Sequence, residues 1–173
     1  PERTWLVATV EDAKKVSVKT PDRVVALTQT TLSMDDTSTI IAVLAARFPS
    51  LITRNDICYA TSNRQLAVKA LASQVDLILV IGAQNSSNCN RLREVALTHG
   101  VQAYLINGAT EIDSQWLEGV STVGITSGAS TPEHLVQSVV EYLKPEEVKE
   151  LEIIKEDVYF PLPKQIRNKV AIQ

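Results

Sequence analysis

Little in this chain marks it as secreted, nucleic-acid-binding or membrane-spanning. Its 173 residues include only two cysteines, Cys58 and Cys89, which form no C-x-x-C pattern. That argues against a disulfide framework or a self-contained zinc site and points to a reducing compartment. Basic charge is also short, with 17 Lys and Arg against 20 Asp and Glu for a net charge of −3. The basic residues are scattered, so no electropositive field grips nucleic acid, and an anionic ligand must be held by local dipoles. Long apolar runs are missing: the stretch 77–81 falls far short of the ~20 residues a bilayer span needs. No charged-then-apolar leader opens the chain. Neither G-x-x-x-x-G-K-[ST] nor G-x-G-x-x-G occurs, and no Ser-His-Asp or paired-carboxylate arrangement can be argued.

What is present is a hydrophobic content of 45%, enough to bury a real core in one or two compact units. The opening PERTWLVATVEDAKKVSVKTPDR begins at Pro1 and reads as entry into a domain already under way, so a longer parent protein is expected. Residues 23–28 (RVVALT) suit a buried strand ending in hydroxyls. A helix follows, with Ile40, Ile41, Val43, Leu44 and Phe48 at helical spacing, Ser33 and Asp36 at capping-box spacing, and Pro49 as its stop. A second helix is expected from Thr61, Ser62 and Asn63, burying Leu66, Ala67, Ala70 and Leu71. The continuous apolar run Val75 to Ile81 is the kind a parallel strand covered on both faces requires. After it come a helix from Asn90 to His99 with Gly100 at its C′ position, a strand from Val101 to Ile106, a short helix around Ile112 to Leu117, and a strand from Ser121 to Thr126. Pro132 suits a first helical position ahead of the stripe Leu135, Val136, Val139, Val140, Leu143. Strand and helix in alternation mean βα repeats and an α/β fold with mainly parallel sheets covered by helices. Past Lys144 charge, two prolines and an expected strand at Glu156 to Phe160 break the repeat and read as an arm.

Four apolar segments or links run into small polar residues at a helix start: TQTTLS, CYATSN, NSSN and SGAST. In a parallel sheet such turns gather at the carboxyl edge, where ligands bind. Free N–H groups and the helix dipole then make an anion cradle without Lys or Arg, suited to a phosphate or diphosphate. One such turn alone is ordinary N-capping. Ser86, Ser87 and Asn88 supply three donors where a cap needs one, and small residues surround Ser130. Cys58 is open to three readings: a small buried hydrophobe, a nucleophile, or a metal ligand beside a helix start. Cys89 reads as incidental within a turn, and His99 and His134 as surface residues.

TQTTLSMDDT, NDICYATSNRQ, GAQNSSNCNRL and GITSGASTPEHLV, in this order and spacing, closely resemble the C-terminal part of the 4-hydroxy-3-methylbut-2-enyl diphosphate reductase family. The resemblance runs from Leu6 to the PLP segment at residues 161–163. It implies part of a three-lobed α/β iron–sulfur enzyme, with residues 1–54 in the middle lobe, 55–144 forming the C-terminal lobe and 145–173 an arm. The implied reaction is two-electron reductive dehydroxylation to isopentenyl and dimethylallyl diphosphate. By resemblance Cys58 is the third cysteine ligand of a [4Fe–4S] cluster. Ser86, Ser87, Asn88 and Ser130 bind the diphosphate, and Thr30 lies near the substrate's hydroxyl end. An electron donor such as ferredoxin or flavodoxin is implied, in a bacterial cytoplasm or a plastid stroma, with neither nucleic acid nor membrane as partner. The N-terminal lobe, with two cluster cysteines, the diphosphate-binding histidines and the proton-delivering glutamate, has no counterpart in these residues. No catalytic residue is therefore expected here, and the chain by itself is expected to be inactive. The competing readings are a phosphate- or diphosphate-binding module without redox chemistry, and a structural remnant that binds nothing.

Overall fold

The computed structural model describes residues 3–54, 56–151 and 153. Its organising element is β3 (Leu77–Ile81), five consecutive apolar residues, all buried. A strand can be apolar on both sides only where both faces are covered. β3 lies between β4 (Gln102–Ile106) and β5 (Val123–Ser127), parallel to each. The register sets Leu77 beside Gln102 and Val123, and Ile81 beside Ile106 and Ser127, so the three strands end at one level.

Alternation along β3 feeds two cores. Ile78 and Val80 join Val68 of α3 (Tyr59–Ala72) and Leu92 and Ala96 of α4 (Ser87–Thr98). Leu77, Leu79 and Ile81 join Ile106, Ile112 and Val139 of α5 (Glu133–Leu143) on the opposite face. Each such aliphatic side chain gains about 1.5–3 kcal/mol on burial, so the double-sided core outweighs helix propensity in holding this unit together. The α/β class with parallel strands under flanking helices is thus what the chain adopts. Upstream, β1 (Val25–Ala26) pairs in parallel with β2 (Ile52–Thr53). α1 (Val10–Lys15) packs on α2 (Met34–Arg47) through Ala13, Leu44 and Phe48.

Several element boundaries differ from the sequence expectation, each for a local reason. Only Val25 and Ala26 of the expected strand 23–28 enter a ladder. α3 begins at Tyr59 rather than at 61–63, because Cys58 takes an extended conformation and serves as N-cap through its backbone alone. α4 begins at Ser87 rather than Asn90, because the Ser86 hydroxyl accepts from the Cys89 N–H at 3.3 Å and satisfies an otherwise orphaned donor. Cys89 therefore sits in the first helical turn, 2% exposed, and not in a loop. The short helix expected at 112–117 is two 3₁₀ turns, Ala109–Glu111 and Ser114–Leu117, interrupted where Ile112 extends and buries its side chain. Pro132 is extended and forms the N-cap of α5 rather than its first residue. α1 and β2 were not expected; they are six and two residues long. The strand expected at Glu156 to Phe160 lies outside the described residues.

Gly100 ends α4 as expected, at φ 82°, with its N–H donating to Leu97 O at 3.0 Å and the Val101 N–H to Ala96 O at 3.2 Å. Two other glycines are required by close approach. A Cβ on Gly82 would lie 2.4 Å from Cys89 Sγ, and one on Gly128 would lie 2.5 Å from the same sulfur. Gly128→Ala is accordingly expected to cost about 1–3 kcal/mol of unfolding free energy in urea denaturation. Adding Cys89→Ala removes the opposing sulfur and should return part of that loss, a non-additivity that independent sites would not show.

Candidate functional site

The shared level of the β3, β4 and β5 ends brings their following turns to one edge. The turn after β5 is tied directly to β3: Gly128 N–H and Thr131 Oγ1 both donate to Ile81 O, at 3.0 and 2.9 Å. It also rests on the start of α4, where Asn88 Nδ2 is 4.0 Å from the position a Gly128 Cβ would take. Ser86 and Asn88 on one side and residues 128–131 on the other are therefore neighbours. Ser87 and Ser130, next to these residues in the chain, are exposed.

Asn88 is the unusual member. It is 8% exposed, yet neither its Oδ1 nor its Nδ2 has a hydrogen-bond partner among the described residues. Leaving a buried amide unpaired costs on the order of 1–3 kcal/mol, so the position is expensive unless something else completes it. By contrast Asn90 Nδ2 donates to Gln84 O at 2.8 Å and to Ser86 O at 3.0 Å, which holds the loop ahead of α4 in shape. Beyond that loop, Glu111 accepts from the Asn107 N–H at 2.9 Å and from Asn107 Nδ2 at 2.7 Å. Those bonds, the backbone one first, hold its carboxyl below the usual carboxylate value.

Cys58 is exposed at the N-cap of α3, and its side chain makes no hydrogen bond to the helix start. The Cys58 carbonyl instead accepts from Thr61 N–H at 2.8 Å and Ser62 N–H at 3.0 Å, which closes the first turn of α3. The Cys58 N–H donates to Thr30 O at 3.0 Å, which places the TQTT turn directly against it. Thr30 itself is exposed. α3 is tied in turn to β5, since Arg64 Nε donates to Ser127 O at 3.1 Å. The first turn of α2 reaches α3 through Asp35 and Lys69 at 2.7 Å and α4 through Asp36 and Arg91 at 3.5 Å. Thr61, Ser62 and Asn63, expected at a helix start, are instead inside α3, which starts at Cys58 and Tyr59.

Gln65 escapes sequence reasoning altogether. It is 1% exposed, and its amide accepts from Met34 N–H at 3.0 Å while donating to Leu32 O at 2.8 Å. Its partners lie 31 and 33 residues away in the chain, so no local pattern announces it. Among the described residues no group of three His, Cys, Asp or Glu side chains could hold a metal. No helix among them is long and apolar enough to cross a membrane.

A family model described as LytB protein matches residues 1–144. The chain belongs to the LytB family. LytB relatives include the 4-hydroxy-3-methylbut-2-enyl diphosphate reductase of Bordetella pertussis, 51% identical over 172 residues and matching 96% of this chain and 53% of that protein. The reductase of the same name from Magnetococcus marinus is 51% identical over 170 residues, matching 96% of this chain and 55% of that protein. In structure, the chain superposes on the E-1-hydroxy-2-methyl-but-2-enyl-4-diphosphate reductase from Plasmodium falciparum with a TM-score of 0.85, at 32% identity over 95% of this chain and 54% of that one. This LytB chain spans about half the length of the curated relatives it matches.

Proposed function

We propose that this chain forms the C-terminal part of a reductase that converts 4-hydroxy-3-methylbut-2-enyl diphosphate to isopentenyl and dimethylallyl diphosphate, the hydroxyl leaving as water after delivery of two electrons and two protons. Residues 1–54 belong to the middle lobe in this reading, 55–144 to the last lobe and 145–173 to an arm. The observation that carries it is Asn88, a buried amide with two unpartnered atoms beside the 128–131 turn, in a chain of this family. Ser86, Ser87, Asn88 and Ser130 bind the diphosphate, aided by the amides of α4's first turn. Thr30 faces the hydroxyl end of the substrate.

The exposed, uncapped thiol of Cys58 fits one ligand position of an iron–sulfur cluster, and the remaining ligands must come from residues outside this set. A [4Fe–4S] cluster held in part by Cys58 would supply the electrons and Lewis acidity that the reaction needs. The work of this chain's own residues is positioning: rigid amides and hydroxyls hold the diphosphate while the Thr30 turn, bonded to Cys58, sets the other end. An electron donor of the ferredoxin or flavodoxin kind completes the reaction.

With one ligand among the described residues, the isolated chain behaves as a diphosphate-binding module. Titration of it with inorganic diphosphate, followed by amide NMR, is expected to move the Ser87, Asn88 and Thr131 signals in one saturable process. Shifts confined to scattered surface lysines would count against the site.

A further inference from the structure

The segment leading into α2 is laced at every second residue to α3 and the residues just before it. Thr28 Oγ1 accepts from Asp56 N–H at 3.3 Å, Thr30 O from Cys58 N–H at 3.0 Å, and Leu32 O from Gln65 Nε2 at 2.8 Å, while Met34 N–H donates to Gln65 Oε1 at 3.0 Å. Residues 28, 30, 32 and 34 thus form one seam that runs through the turn at Thr30 and Thr31 and the bend at Leu32 into the first residue of α2. Two further contacts cross near it. Lys69 to Asp35 and Arg91 to Asp36 are ion pairs whose acidic partners are more than half exposed. Such pairs contribute little each. Gln65 differs because it is sealed from solvent and satisfies a donor and an acceptor that would otherwise be orphaned.

We infer that Gln65 is a positioning residue: through the Thr28–Met34 seam it sets the Thr30 turn against Cys58, and so the hydroxyl end of the substrate against the reacting centre. This rests on the proposed reductase reading. Nothing in it requires Gln65 to touch substrate, and its consequence is a loss of alignment rather than of affinity, because the diphosphate-binding turns lie on α4 and after β5.

The test uses the full-length protein containing this chain, with Gln65→Met, which keeps the volume and removes both bonds, and Gln65→Glu, which keeps an acceptor for Met34. Hydrogen exchange at the Met34 and Cys58 amides is expected to quicken by about tenfold in Gln65→Met, the scale of one or two lost hydrogen bonds, with β3 amides unchanged. Under anaerobic turnover kcat should fall by about 10- to 100-fold while KM stays within about threefold, as misalignment without lost binding requires. Gln65→Glu should lie between. Unchanged exchange at Met34, or quickened exchange with unchanged kcat, overturns the proposal. If Gln65→Met loosens β3 as well, Gln65→Glu decides by the same criteria. A wild-type protein that turns over no substrate sinks the reductase reading, and the role assigned to Gln65 with it, whatever the exchange rates show.

Discussion

Cys58→Ser in the full-length protein is expected to lower the proposed reductive dehydroxylation by about three orders of magnitude or more, because a serine oxygen would be a poor substitute for a thiolate holding an iron–sulfur cluster. Iron content and visible absorption after anaerobic isolation should fall in parallel. The fold should not suffer: Cys58 is exposed, and it caps α3 with its backbone, which serine retains. Inorganic diphosphate should still bind within about threefold of wild type, since the lost group lies on a different helix from the turn proposed to bind the anion. Full activity in this variant would end the assignment of Cys58 as a ligand. Loss of diphosphate binding along with activity would mean that the two ends of the site are not separable in the way their placement on α3 and α4 implies.

Asn88→Leu carries two expected effects of opposite sign. Its buried amide lacks partners among the described residues, so an apolar side chain of similar size should leave the ligand-free chain as stable as before, or more stable by about 1 kcal/mol in urea denaturation. Diphosphate affinity should drop by about 100-fold, the loss typical of a hydrogen bond to a charged group in a dehydrated site. The pair of signs is the informative part. A residue kept for packing would lose stability and spare binding, and an outcome of that kind would remove the observation on which the proposed function rests.

Parts of the molecule were legible because the physics behind them is local. The unbroken apolar run 77–81 could be comfortable only as a strand covered on both faces, and β3 is that strand. Gly100 stands at the left-handed position its helix end demands. The stripe from Leu135 to Leu143 follows one helix face, and α5 turns it to the core beside β3. Helix starts were harder. Around residues 86–90 every residue but the buried Cys89 is a competent cap, so spacing could not choose among them, and only the bond from the Cys89 N–H to Ser86 makes the choice. Cys58 carries no side-chain capping signal at all, which moved the expected start of α3 two to four residues too far along. Gln65 was invisible for another reason: a polar residue on a helix reads as solvent-facing unless its distant partners are known. The neighbourhood of the polar turns was foreseeable from strand direction alone, but the lacing of Thr30 to Cys58 was not, because it joins segments 28 residues apart through a backbone bond any residue could make.

One carbonyl links the ladder to the edge proposed to bind diphosphate. Ile81 O receives both Gly128 N–H and Thr131 Oγ1, so the turn after β5 takes its place from the middle strand instead of from its own short sequence. A loop anchored at both ends of so brief a span has no slack to absorb an added or deleted residue. Length variation among natural homologues should therefore collect elsewhere, in the connections around residues 17–22 and 145–150, while the four positions from Gly128 to Thr131 keep a constant count even where their identities drift.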